Sequence, residues 1–98
     1  MVKFGLECKE WPGLAKVAEE AAEVQQVIMK IIAFDGSTAH PDGTDLLDAL
    51  ESELADVQAA VHHLRYNCKK LTRDVQYDDR FIDKLNFFTK IYNNGGSI

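Results

Sequence analysis

The feature that most constrains this chain is an unbroken seam of apolar residues spaced alternately three and four apart: Leu47, Leu50, Leu54, Val57, Val61, Leu64, Cys68 and Leu71. That spacing belongs to helices that pack along their length, and no strand, with its two-residue period, can use it. It predicts a helix over 45–71, with Thr44 or Asp45 able to cap its start. An earlier stripe, Leu14, Val17, Ala21, Val24, Ile28 and Ile31, repeats the pattern. It predicts a helix over 12–34, with Pro12 suited to the first helical position. Between them DGSTAHPDGT collects turn formers, so 35–44 reads as a loop. A third helix over 78–92 places Phe81, Leu85, Phe88 and Tyr92 on one face, and Asn93-Asn94-Gly95-Gly96 ends it. No segment alternates with period two. The expected fold is all-α: two long helices as an antiparallel hairpin plus a shorter third, one domain over 1–98.

Three helices with seams this long leave apolar surface over. Phe87, Phe88, Ile91 and Tyr92 crowd the third helix on more than one side. A homodimer or homotetramer that completes a four-helix-bundle-like core is the simplest remedy.

Composition narrows the function classes. Apolar residues make up 46% and charged residues 28%, which is ordinary for a folded domain and too apolar for a disordered chain. No apolar run approaches the roughly 18 residues that span a bilayer, so no membrane role is expected. The first residues, MVKFGLECKEW, lack the apolar core of a secretory signal. Cys8 and Cys68 form no CxxC motif, which argues against a zinc site and suits a reducing, cytoplasmic location. The net charge of −5 is unevenly spread: residues 1–64 carry 12 acids against 4 Lys/Arg, and residues 65–98 carry 4 against 7. An acidic front and a basic back do not suit a nucleic acid polymer. They suit a site that holds a cation first and a polyphosphate through it.

The acids are placed accordingly. Glu19, Glu20 and Glu23 lie in VAEEAAEV on the first helix, and Glu53 and Asp56 lie in ESELADVQ on the second. Residues three apart are neighbours on a helix face, so Glu20/Glu23 and Glu53/Asp56 form two pairs. Each of the four precedes a residue of the apolar stripe, which puts all of them along the edge of the helix–helix seam. Counted from the intervening loop, the two pairs differ in height by about 2–3 residues, or roughly 4 Å. Folding the two helices together therefore gathers four carboxylates, an arrangement that needs protons or cations to neutralise it. An all-oxygen set selects a hard cation, Mg²⁺ with Mn²⁺ as a substitute. A di-iron site would need Glu-x-x-His, and the residues three before His40, His62 and His63 are Ser37, Ala59 and Ala60.

At these residues the sequence resembles the MazG-like all-α nucleoside triphosphate pyrophosphatase superfamily, whose signature is EExxE followed by ExxD. Here it reads Glu19-Glu20-Ala21-Ala22-Glu23, then Glu53-Leu54-Ala55-Asp56. The resemblance covers about residues 12–64. It implies that Glu20, Glu23, Glu53 and Asp56 hold Mg²⁺, and that Glu19 supports the site or helps activate water. It also implies hydrolysis of a nucleoside triphosphate to a monophosphate and pyrophosphate, with Glu19, Glu20 and Glu23 as candidates for the catalytic base. The 29 residues between the half-motifs sit at or beyond the long end of the usual spacing, and the extra length falls in the 35–44 loop. A related branch, the phosphoribosyl-ATP pyrophosphohydrolases, tends to place a histidine four residues after the ExxD aspartate, where this chain has Ala60. The alternative of another class is a non-catalytic helical oligomerisation or regulatory module.

Single residues complete the reading. Lys16, four before Glu20, can reach a substrate phosphate or pair with Glu20. Arg80 and Lys84 on the third helix are further substrate-phosphate candidates. His63 can edge the site, His40 can touch base or phosphate from the loop, and Trp11 can stack on a base or anchor the first helix. Cys8 reads as a tail residue and Cys68 as a seam residue.

Overall fold

The start of the first helix is set by glycine rather than by proline. In the computed structural model, which describes residues 3–39, 42–43, 45–75 and 78–95, Gly13 caps helix α1 (Leu14–Ala33) with φ +79°. A residue with a Cβ would lose about 1–2 kcal/mol in that left-handed conformation. The Gly13 N–H donates to the Gly5 carbonyl at 2.7 Å and the Ala15 N–H to the Phe4 carbonyl at 3.0 Å. The segment before α1 is thus tied to the helix start. Pro12 lies buried in that turn, not at the first helical position. At the other end Asp35 and Gly36 turn left-handed, and their N–H groups reach the carbonyls of Ile32 and Ile31 at 3.0 and 2.8 Å. This satisfies carbonyls that the helix itself leaves open.

Helix α2 (Leu46–Asn67) is capped by Asp45, whose Oδ1 accepts the N–H groups of Leu47 at 3.0 Å and Asp48 at 3.3 Å. Thr44, the other cap candidate, and His40 lie outside the described residues. The helix stops four residues earlier than its seam. Cys68 leaves the helical conformation, its backbone N–H still donating to the Leu64 carbonyl and its Sγ to the Glu10 carbonyl at 3.2 Å. Leu71 keeps the spacing but sits in the turn that follows. Helix α3 (Asp79–Asn93) is capped by Asp78 and closed by Asn94, and Gly96 lies outside the described residues. No strand forms among the described residues; a lone bridge joins Ala39 and Asp45. The fold is all-α, as expected, and none of these helices is long and apolar enough to cross a membrane.

Helices α1 and α2 pack on each other, whereas α3 packs along neither. His63 Nε2 meets the Leu6 carbonyl at 2.9 Å and Cys68 reaches Glu10, so the start of α1 lies beside the end of α2. The packed face takes only half of each stripe that the sequence suggests: Val17, Val24 and Ile31 on α1 and Leu50, Val57 and Leu64 on α2 are shielded. On α2 the shielded line is Leu46, Leu50, Glu53, Val57, Ala60 and Leu64, with Leu46 only 1% exposed. Leu47, Leu54 and Val61, alternate members of the seam, are 50%, 42% and 37% exposed. On α1 the shielded positions include Lys16, Glu20, Glu23, Val27 and Ile31, while Leu14, Ala21 and Ile28 face outward. Glu20, Glu23 and Glu53 therefore lie within the helix–helix contact, not along its edge. The Phe81, Leu85, Phe88 and Tyr92 face of α3 is exposed throughout. The radius of gyration, 16.7 Å, exceeds the about 13 Å of a compact domain this size.

Candidate functional site

Because the contact between α1 and α2 runs through their carboxylates, the site is part of the helix packing itself. Glu20 is the most shielded charged side chain among the described residues, at 6% exposure. Its Oε1 lies 3.1 Å from Lys16 Nζ, one turn earlier on the same helix. Its Oε2 is buried without a hydrogen-bond partner, and so is Oε2 of Glu53 on the facing helix. Unpaired buried polar atoms are rare and each destabilises the fold. Both of these atoms are carboxylate oxygens, and both belong to the same cluster.

Glu20, Glu23 and Glu53 each offer an oxygen within 4.8 Å of the others. Oxygens that share one Mg²⁺ at about 2.1 Å lie roughly 3–4 Å apart, so small side-chain rotations would bring these three into range. The donor set is carboxylate only, which matches a hard divalent cation and excludes the imidazole or thiolate sets that favour zinc. Glu23 hydrogen-bonds to Glu53 and faces the charge of Glu20, and together with partial burial this pushes its carboxyl up to about 7. A proton held on Glu23 lowers the like-charge repulsion within the cluster.

Asp56, the fourth expected ligand, stands apart from this trio. It is exposed and lines a neighbouring cavity of about 360 Å³ together with Glu20, Lys16, Ala59, Ala60 and His63. Ala60 is buried at this cavity wall. Lys16 bridges Glu20 and, at 3.6 Å, the outward-facing Glu19. Its ammonium pKa is raised, first by the bond to Glu20 and then by the charge of Glu19. Both sequence readings of Lys16 thus meet in one place, since it pairs with Glu20 and also faces the cavity.

His63, which the sequence reads as a surface or interface histidine or as an edge of the site, lines the cavity because of backbone geometry. Its Nε2 donates to the Leu6 carbonyl, leaving Nδ1 to accept from the Asn67 amide at 3.4 Å. A Cβ at Gly13 would come within 3.2 Å of the His63 ring and of Leu6. The segment before α1 therefore closes one end of the cavity. Leu6 carries no motif; the one sequence signal for this wall is the glycine at 13. Trp11 lies under Lys70 Nζ, 5.6 Å from the ring centre, and its backbone N–H donates to Cys8 Sγ at 3.4 Å. That is an anchoring role at the helix start, away from the carboxylates.

Arg80 and Lys84 are not brought to this group. Both line a separate, larger cavity at the start of α3. Arg65, which shares that cavity, is 12 residues beyond Glu53 on α2, about 18 Å along the helix axis.

No family model matches this chain, and neither a curated protein nor a solved structure matches it.

Proposed function

We propose that this protein is a Mg²⁺-dependent nucleoside triphosphate pyrophosphohydrolase of the MazG-like type. The observation that carries the reading is the buried Glu20, whose unpartnered Oε2 sits in a three-carboxylate cluster with Glu23 and Glu53. Charges so arranged destabilise a helix pair unless positive charge is bound there, and the resemblance of EExxE and ExxD supplies the chemistry that would justify the cost. Glu20, Glu23 and Glu53 would hold the ion, and Asp56 would complete the set from the cavity side. Mg²⁺ supplies charge neutralisation for the triphosphate and lowers the pKa of water.

The chain's own residues divide the remaining work. The cavity beside Glu20 and Asp56 receives the triphosphate end of the nucleotide, and Lys16 at its wall offers the nearest cation to a phosphate oxygen. A carboxylate not fully engaged in coordination accepts the proton from water. Glu19, Glu20 and Glu23 are the candidates for that role. Water adds at the α–β phosphoanhydride, the bridging P–O bond breaks, and pyrophosphate and the nucleoside monophosphate leave. Glu19 acts through Lys16, holding its ammonium toward Glu20.

The same reading includes a second copy of the chain. The exposed Leu47, Leu54 and Val61 line on α2, with the exposed Leu14 and Ile28 on α1, is apolar surface that the α1–α2 packing leaves uncovered. In a homodimer or homotetramer this antiparallel hairpin would bury that face in a four-helix core. The test is a Mg²⁺-dependent screen of canonical and modified NTPs and dNTPs, with phosphorus NMR to identify products. Pyrophosphate and a nucleoside monophosphate are expected; orthophosphate with a nucleoside diphosphate would refute the assignment. No turnover, together with no Mg²⁺-induced rise in Tm, would favour a non-catalytic helical module.

A further inference from the structure

We propose that the cavity between the end of α2 and the start of α3 is a second ligand site, one that binds a nucleotide-type molecule without a divalent metal. The chain is acidic overall, yet this cavity inverts the sign. Arg65, Lys70, Arg73, Arg80 and Lys84 line it against one carboxylate, Asp78. Its volume of about 610 Å³ falls in the roughly 300–1,000 Å³ range of small-molecule sites.

The walls are held in place by a continuous chain of polar contacts. Arg65 Nη2 donates to the Arg73 carbonyl at 3.1 Å. Arg73 Nη1 donates to Asp78 Oδ2 at 3.4 Å, and Asp78 Oδ1 accepts the Arg80 N–H at 2.9 Å. The Arg80 N–H, and then the Arg73 and Arg65 charges, hold the Asp78 carboxyl below its ordinary value, so it stays charged and the frame persists at neutral pH. The acid in the cavity is thus engaged with Arg73 and the helix cap. Arg80 and Lys84 form no ion pair among the described residues, and Lys84 rests 5.9 Å over the Phe88 ring, a contact that leaves its charge unneutralised.

Two further observations select the ligand class. The floor is apolar, formed by Leu71, Val75 and the half-exposed Phe81, so a molecule with a flat ring and a multiply charged tail matches both parts. Aromatic stacking and phosphate contacts from arginine and lysine are how proteins take up nucleotides. The basic residues surround one concavity rather than forming a stripe, and the rest of the surface is acidic, which disfavours a nucleic acid chain. The site is at the far end of α2 from Glu53, so it is an additional locus, not the carboxylate site.

The experiment is calorimetric titration of the full chain in EDTA, with ATP and inorganic triphosphate as probes. Chelation keeps it independent of Mg²⁺-dependent hydrolysis, so either reading can fail alone. ATP should bind several-fold more tightly than triphosphate, and Phe81→Ala should erase that difference. Arg80→Ala with Lys84→Ala should weaken both ligands at least tenfold, with helix content by circular dichroism unchanged because both side chains are exposed. Glu20→Gln should leave binding intact. Absence of ATP binding in EDTA would overturn the proposal. So would indifference to the double variant, equal loss in Glu20→Gln, or tighter binding of a single-stranded oligonucleotide than of ATP.

Discussion

Replacing Glu20 by Gln tests whether the carboxylate cluster is built for a cation. The substitution is nearly isosteric, so the helix contact should survive. In the wild type, Oε1 is bonded to Lys16 and Oε2 is buried without a partner. An unsatisfied buried acceptor costs about 1–3 kcal/mol. The amide of Gln keeps an acceptor for Lys16 and turns the orphan position into a donor aimed at the Glu23 and Glu53 oxygens. In chelator the variant should therefore be as stable as the wild type or more so, by up to that amount. For a domain this size 1 kcal/mol corresponds to about 4–8 °C in Tm. With Mg²⁺ at a hundred times its dissociation constant, mass action adds about 2.7 kcal/mol to the wild type, a rise of roughly 11–22 °C. The variant presents an N–H where the ion needs a lone pair, so it should gain little, and the order of stabilities reverses. Thermal melts of both proteins in EDTA and in Mg²⁺ decide the matter. Parallel shifts on adding Mg²⁺ would show that Glu20 is no ligand, and a large loss in EDTA would show that its charge is a structural asset.

The remaining predictions concern the proton, the glycine hinge and the apolar face. Glu23 holds its proton up to about 7 in the folded chain against an ordinary 4.5; its contribution is therefore fully present below about pH 4.5 and lost as the pH rises through about 7. Urea melts in EDTA should show stability falling between pH 5 and 8, and Glu23→Gln should flatten that slope; a rise over the same interval would contradict the shared proton. Gly13→Ala places a Cβ at φ +79° and against His63 and Leu6, so a loss of about 1–2 kcal/mol is expected, read as a Tm lower by roughly 4–16 °C; an unchanged Tm would mean the turn is not as described. Light scattering at micromolar concentration should report a dimer or larger assembly, and an 11 kDa species would refute the covered apolar face.

The helices were legible because their apolar spacing is regular, and their ends were less so because ends depend on single contacts. Leu71 satisfies the spacing but not the helix, since the Cys68 thiol and the Glu10 carbonyl pull the chain away three residues earlier. Pro12 looks like a helix opener, yet the left-handed Gly13 and its bond to Gly5 decide the start. The carboxylates were identified by motif, and three of the four come together. Asp56 and the cations on α3 were less predictable, because one turn of rotation on α2 separates a cluster member from a cavity wall. Leu6 could not have been found at all: it contributes a backbone carbonyl, which carries no sequence signature.

The deepest discrepancy is rotational, and it bears on function. Judged by hydrophobicity alone, α1 and α2 should meet through the whole of each stripe, Leu14, Val17, Ala21, Val24, Ile28 and Ile31 on one side and Leu47, Leu50, Leu54, Val57, Val61 and Leu64 on the other. They meet through one half of each, Val17, Val24 and Ile31 against Leu50, Val57 and Leu64, on a face that also carries Lys16, Glu20, Glu23 and Glu53, and the other half, Leu14, Ala21, Ile28, Leu47, Leu54 and Val61, is left exposed. Burying acids while exposing leucines runs against the hydrophobic effect on both counts. In a single chain that rotation leaves half of each apolar stripe uncovered. It becomes favourable when two external partners are supplied: positive charge between the helices, and apolar surface over the uncovered half. Cation binding and self-association would then stabilise different faces of the same helix pair, and each should strengthen the other by favouring one rotation of α1 against α2. On this argument the midpoint for assembly shifts to lower protein concentration when Mg²⁺ is added, and Glu20→Gln removes that dependence while leaving assembly in EDTA intact.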